Sequence, residues 1–210
     1  MNKTIKFLML SDIFVLTGFG LTDPIIAIFL KENLVGGTIL AAGIASSLFM
    51  IVKSLVQLPF SKYVDKYGDW TDLKWLFAGT FIVALVPFIY IFSSHIYMIY
   101  LAEILHGIGA GLAYPAWLGL WSTHLDRHKE SFEWSLYSTL VGIGTSASAL
   151  VGALVAEYLG FNATFVIVGG LSMLGCYLLM FLILEERKHL SKLKTVPVEV
   201  GAYKKGGIDM

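Results

Sequence analysis

Ionisable side chains interrupt long apolar stretches of this sequence at Asp12, Asp23, Lys53, Glu103 and His106. Charges inside membrane-like segments are costly and mark functional positions by default. At about 1.5 Å rise per residue, Lys53 sits roughly 15 Å from Tyr63 and Glu103 about 12 Å from His95. Within an apolar slab of about 30 Å, that puts both near the midplane, where they could pair. The pair reads either as a structural neutralisation of a membrane lysine or as a charge pair that opens when a solute or a proton binds. His106 follows Glu103 by one helical turn and shares its face. Together they read as a proton relay, since His titrates near neutral pH, or as a packed, hydrogen-bonded histidine. Asp23 directly precedes Pro24 and reads as a proton or cation site, or as an acid in interfacial water. Asp12 either lines a cavity or meets loop lysines. Ser146 and His106, at similar depth, would make a Ser–His dyad if they met, but the surrounding Gly142, Gly144, Ala147 and Gly152 point to close helix packing. Glu103-x-x-His106 has the spacing of carboxylate metal sites. Its second copy, Glu186-x-x-His189, falls at another depth, so neither a metal site nor a cofactor is expected.

The elements that must position these groups are membrane helices. The chain has 210 residues, 57% hydrophobic and 14% charged, with mean hydropathy +0.75, values of a polytopic membrane protein rather than a soluble domain. Net charge is zero, which gives no sign of nucleic-acid binding. Segments 7–30, 36–60, 74–93, 96–121, 133–158 and 162–184 are each long enough to span a bilayer. They form a transmembrane domain over 1–186, followed by a tail at 187–210. Of the 15 Lys and Arg, Lys31 falls on one side and Lys53 inside a span; all the others fall on the opposite side. The positive-inside rule then puts both termini in the cytoplasm, with the protein in the inner membrane. Lys3 and Lys6 before an apolar run resemble a signal peptide, but no cleavage pattern follows and the run reads as an uncleaved first span. Trp70, Trp75, Trp117, Trp121 and Trp134 cluster near the cytoplasmic ends and read as an aromatic belt. Cys176 reads as a small buried hydrophobe.

The spans repeat. Gly18-Phe19-Gly20-Leu21-Thr22-Asp23-Pro24 returns as Gly109-Ala110-Gly111-Leu112-Ala113-Tyr114-Pro115, both G-x-G-L-x-x-P, in spans one and four. Asp65-Lys66-Tyr67-Gly68 returns as Glu157-Tyr158-Leu159-Gly160 in nearly the same register. Copies three spans apart run in opposite directions, the pattern of an inverted-topology repeat found in many secondary transporters. The expected fold class is an all-α membrane protein of six transmembrane helices in a 3+3 arrangement. Pro24 and Pro115 each remove a backbone donor and can kink their helices after Gly-x-Gly. Gating flexibility and plain close packing both account for the glycines.

Three local matches tie this pattern to a family. The loop after span two, Ser61-Lys62-Tyr63-Val64-Asp65-Lys66-Tyr67-Gly68, is similar to the G-x-x-x-D-R/K-x-G loop of major facilitator superfamily transporters. Asp65, Lys66 and Gly68 match; Ser61 replaces the first glycine and Asp69-Trp70 the usual basic pair. Glu103-Ile104-Leu105-His106-Gly107-Ile108-Gly109 resembles the span-four R-x-x-x-G-x-G pattern with the charge reversed. Gly144, Ser148, Ala149, Gly152 and Ala153 resemble a span-five antiporter motif that has lost its proline. The chain thus resembles the N-terminal six-helix half of such a transporter. The resemblance implies movement of a small-molecule substrate across the lipid bilayer by alternating access, with no enzymatic activity. Lys53, Glu103, His106, Asp23 and Tyr114 are then candidates for substrate or proton binding, and Asp65, Lys66, Gly68, Pro24 and Pro115 for gating or structure. Family members have two such halves, so the resemblance implies a parallel homodimer or a second half-transporter. Asp65 would then approach Ser131 and Phe132 of the opposite half. A non-transporting scaffold and an intramembrane serine hydrolase are the alternatives.

Overall fold

The computed structural model describes the backbone of residues 1–195 and the side chains of residues 1–187. The described chain is helical: α1 (Lys3–Gly20), α2 (Ile26–Asn33), α3 (Ile39–Val64), α4 (Asp69–Ile91), α5 (Ile96–His124), α6 (Glu130–Leu159) and α7 (Phe161–Thr195). Local chemistry sets several boundaries. The Asn2 side chain accepts from the Thr4 amide at 3.1 Å to start α1, and the Thr38 hydroxyl accepts from Ala41 at 2.9 Å to start α3, each satisfying a donor that an open helix end leaves free. Asp69 and Asp72 open α4, and Glu130 and Glu133 open α6, where the helix dipole favours negative charge. α6 ends at Gly160, whose φ of 85° suits glycine.

Helices α3 to α7 are long and apolar enough to cross a membrane. The expected first span, 7–30, is not one helix: α1 stops at Gly20 and α2 starts at Ile26. Thr22 helps close the intervening turn, its hydroxyl donating to the Phe19 carbonyl at 2.7 Å and its amide to the same oxygen at 2.8 Å. Pro24 has no amide to give, so one rung of the helical ladder is missing at this turn. α7, by contrast, remains helical to Thr195, past the expected boundary at 186. The remainder of the expected tail, 196–210, and the side chain of His189 lie outside the described residues.

Packing runs mainly between α4 and α5, α3 and α5, α4 and α7, α1 and α7, and α1 and α6, with smaller contacts of α6 on α7, α2 on α3, and α1 on α5. Two apolar clusters close the ends of the bundle. One contains Ile5, Leu8, Leu73, Leu120, Trp121 and Leu179. The other joins Phe29, Leu30, Val86, Ile99 and Phe165. At the second end, Val35 and His95 form an isolated parallel bridge, with the Val35 amide donating to Ser94 and the Ile96 amide to Val35. This ties the α2–α3 loop to the α4–α5 loop. At the first end, the Met1 amino group lies 2.5 Å from the Asp126 carboxylate.

Apolar burial drives helix association only weakly in lipid, so close backbone approach must do that work. The doubled motif supplies it. A Cβ on Gly18 would touch Val168, Leu171 and Ser172 of α7, and one on Gly109 would strike Gly79 and Ile82 of α4. Gly20 faces Thr145 and Ser148 of α6, whereas Gly111 faces Lys53 and Val56 of α3. Each first glycine seats one neighbour and each second glycine another, so close packing explains the glycines of both copies. α3 and α6 remain the least covered elements. Only Ala41, Ala45 and Val64 are buried in α3, and only Glu133 and Gly152 in α6.

Candidate functional site

Between the end clusters lies a cavity of about 220 Å³, framed by α1, α3, α4, α5 and α7. Lys53, His106 and Tyr114 line it, as do Asp12 and Trp117. Three of the sequence-derived candidates are therefore brought together.

Lys53 reaches into the cavity from α3, where Gly107 and Gly111 let α5 pass close to its backbone. Its ammonium lies 4.8 Å from the centre of the Tyr114 ring and 6.0 Å from that of Phe49, a cation–π arrangement. Lys53 and Glu103 do not pair. Glu103 points away from the cavity and accepts a short hydrogen bond from the Tyr90 hydroxyl of α4. Equal depth does not bring them together: Glu103 on α5 turns to Tyr90 of α4, whereas Lys53 on α3 turns to the Tyr114 and Phe49 rings.

His106 Nδ1 lies 3.4 Å from Glu103 Oε2, within ion-pair range but without hydrogen-bond geometry. The imidazole is held between two rings, with centroids 4.8 Å from Phe19 and 4.3 Å from Phe49. His106 thus connects the Glu103–Tyr90 pair to the cavity wall. Ser146 is exposed on α6, whereas the His106 ring is held between Phe19 and Phe49, and the Ser–His dyad does not form.

Asp12 lines the cavity rather than meeting loop lysines, and it accepts a short hydrogen bond from Tyr137 of α6. It bears the same relation to Gly18 that Glu103 bears to Gly109. Extending the doubled motif six residues upstream aligns the two acids, and the structure gives each a tyrosine from another helix. That alignment is present in the sequence itself.

The indoles depart from a simple interfacial belt. Trp117 and Trp121 are buried and stacked, with ring centroids 4.9 Å apart, and Trp134 and Tyr137 pack against them. This aromatic block borders the cavity through Trp117. Its formation follows from the spacing of Trp117 and Trp121, one turn apart on α5.

The remaining candidates lie elsewhere. Asp23 and Pro24 are exposed in the turn between α1 and α2, outside the cavity. Pro115 is buried inside α5, which continues through it. Asp65 follows α3 as its C-terminal cap residue, Lys66 continues the turn, and Gly68 precedes α4 as its N-cap; all three are exposed. The loop is tethered to α5 by Asp69, whose carboxylate lies 3.5 Å from His124 Nε2. That contact occupies the place where the basic pair of the resembling loop is missing.

Comparison with known proteins agrees with this architecture. The Major Facilitator Superfamily pattern matches residues 8–204. Over 168 residues the chain is 25% identical to the voltage-gated purine nucleotide uniporter SLC17A9 of Rattus norvegicus, covering 79% of this chain and 37% of that protein. The Homo sapiens uniporter of the same name is 27% identical over 148 residues, 70% of this chain and 34% of its own length. The quinolone resistance protein NorA of Staphylococcus aureus is 22% identical over 189 residues, 90% of this chain and 47% of its own. The chain therefore spans less than half the length of these relatives. With the family pattern covering nearly all of it, the chain belongs to the Major Facilitator Superfamily, a membrane transporter family.

Proposed function

We propose that this chain is one half of a secondary transporter that moves a small solute by alternating access. The observation that carries the reading is the central cavity, where Lys53, His106, Tyr114 and Asp12 converge from α3, α5 and α1 between two closed apolar ends. Polar groups gathered at mid-bilayer depth on packed helices are where such transporters hold solutes.

In this reading α1 and α2 together make the first of six spans, and residues 1–186 form two inverted three-helix units. The pairing pattern supports the inversion. Exchanging the first three spans for the last three turns the α1–α7 contact into α5–α4 and the α3–α5 contact into α6–α1, all four of which occur. The α4–α7 and α1–α5 contacts map onto themselves. Both termini are assigned to the cytoplasm and the protein to the inner membrane by the one-sided Lys and Arg distribution.

The second half is a parallel copy of this chain or a separate half-transporter. The uncovered faces of α3 and α6 favour such a partner, with Leu55 70% and Leu150 67% exposed. Asp65, Ser131 and Phe132 are all exposed, as an aspartate that caps the partner's α6 requires. Glu103 and His106 are the candidate proton-binding groups beside the site, and Asp23 marks its outer approach.

Native mass spectrometry in lipid nanodiscs, joined to solute uptake into proteoliposomes, tests the reading. A twelve-span assembly that accumulates solute supports it; a strict monomer without uptake overturns it. For the homodimer, Asp65→Cys on one copy and Phe132→Cys on the other should crosslink between chains. Absence of any interchain crosslink would leave a separate half-transporter as the partner.

A further inference from the structure

Of the two charged side chains that line the central cavity, one is already engaged. Asp12 accepts from Tyr137. Lys53 forms no ion pair with a carboxylate among the described residues and rests instead on the Tyr114 and Phe49 rings. An ammonium held over ring faces keeps its hydrogen-bonding capacity, because the ring quadrupole attracts its charge without supplying a directional acceptor. A lysine carried this deep in a membrane span calls for an anion to complete its coordination.

The walls specify the rest of that anion. Phe19, Phe49 and the His106 imidazole form one aromatic wall, and Tyr114 lies nearly parallel to Trp117, with 9° between their planes. Such faces favour offset stacking with a flat group. The cavity volume of about 220 Å³ is well above the space one water needs and admits a one- or two-ring system.

We propose that the cavity binds planar aromatic anions, with Lys53 holding a carboxylate or similar acidic group and the Tyr114–Trp117 and Phe19–Phe49–His106 faces holding the ring. The inference rests on the transporter reading only for its meaning as a substrate class; the binding itself does not depend on transport. Neither Asp12 nor Glu103 lies within ion-pair distance of Lys53; their carboxylates face Tyr137 of α6 and Tyr90 of α4 instead.

Equilibrium dialysis of the full chain in detergent micelles, with empty micelles subtracted, tests this with 2-naphthoate, 2-naphthol and 2-naphthylmethylammonium. Wild type should bind 2-naphthoate saturably and about tenfold or more tighter than the other two. Lys53→Gln should lose about tenfold for 2-naphthoate while leaving 2-naphthol within about twofold, and Lys53→Arg should stay within about threefold of wild type. Lys53→Met serves as a second neutral variant should the glutamine be poorly accommodated in the span. Equal wild-type affinity for the three probes, or a preference for the ammonium, overturns the proposal without needing any variant; an acid presented to Lys53 by another half would give that result. Unchanged naphthoate binding in both neutral variants overturns it as well. Naphthoate binding without vesicle uptake would leave this inference standing and sink the transporter reading. Uptake of other solutes without naphthoate binding would do the reverse.

Discussion

The two copies of G-x-G-L-x-x-P perform the same packing task with different tolerances. A Cβ on Gly109 or Gly111 would approach its nearest neighbours to 2.8 Å, whereas one on Gly18 or Gly20 would reach 3.3 and 3.2 Å. The tight copy sits on the continuous helix α5, and the looser copy sits at the end of α1, where the chain breaks. Proline does not account for the difference, since Pro24 and Pro115 occupy equivalent positions and only the first lies in a break. The residues before proline differ. Thr22 bonds back to Phe19, whereas its counterpart is Ala113, which has no hydroxyl. The neighbour differs too: Gly152 of α6 lies so close to the freed Leu21 carbonyl that a Cβ there would be 2.0 Å from its oxygen. A repeated motif therefore sets which helices meet, and the surroundings set whether the chain bends there.

Gly152→Ala should cause the largest loss, because the collision is with backbone on both sides and no side chain can yield. We expect a destabilisation of about 3 kcal/mol, read as a lowered thermal midpoint of the detergent-solubilised protein. A wild-type midpoint would show that the break relaxes freely, and the contrast between the copies would lose its basis.

The acids sharpen the contrast next. Tyr90 is 4% exposed and its partner Glu103 lies away from the cavity, so Tyr90→Phe should leave a buried acceptor unsatisfied at a cost of about 1.5–3 kcal/mol. Tyr137→Phe acts on Asp12, which borders the cavity where water can replace the lost donor, and should cost about 0.5–1.5 kcal/mol. Denaturant unfolding of both variants checks the order; a larger effect at Tyr137 would place Asp12 in the drier setting.

The glycines of the repeated motif give the smallest effects. Alanine gains about 1 kcal/mol of helix propensity over glycine, which opposes the strain of a closer contact. Gly109→Ala and Gly111→Ala should still lose about 1 kcal/mol, while Gly18→Ala and Gly20→Ala should fall within about 0.5 kcal/mol of wild type. Equal losses in all four would mean the two copies have the same slack, and thermal unfolding of the set decides it.

Most of the helical architecture is legible in the residues, because apolar runs and the placement of Lys and Arg respond directly to the bilayer. The cavity was legible only in part. Lys53, His106 and Tyr114 stand out as a membrane charge, a relay residue and the point where the repeat loses its symmetry. Their counterparts in the other copy confirm that asymmetry: Val15 corresponds to His106 and Asp23 to Tyr114. Asp12 was legible as a charge that lines a cavity or meets loop lysines, but its partner Tyr137, far away in the chain, was not. Asp23 was the converse, prominent in sequence and exposed outside the cavity.

By itself, the sequence determined that the chain is built of membrane helices, that two segments echo each other, and that charges lie at mid-depth. These are properties of hydropathy and spacing, which need only local rise and the thickness of a bilayer. Tertiary structure alone decided that Glu103 turns to Tyr90 rather than to Lys53, that α1 breaks against Gly152, and that Trp117 and Trp121 stack in a buried aromatic block at the cavity's edge. Each of those outcomes depends on the rotation of one helix about its axis against another, a quantity that depth along the helix does not contain.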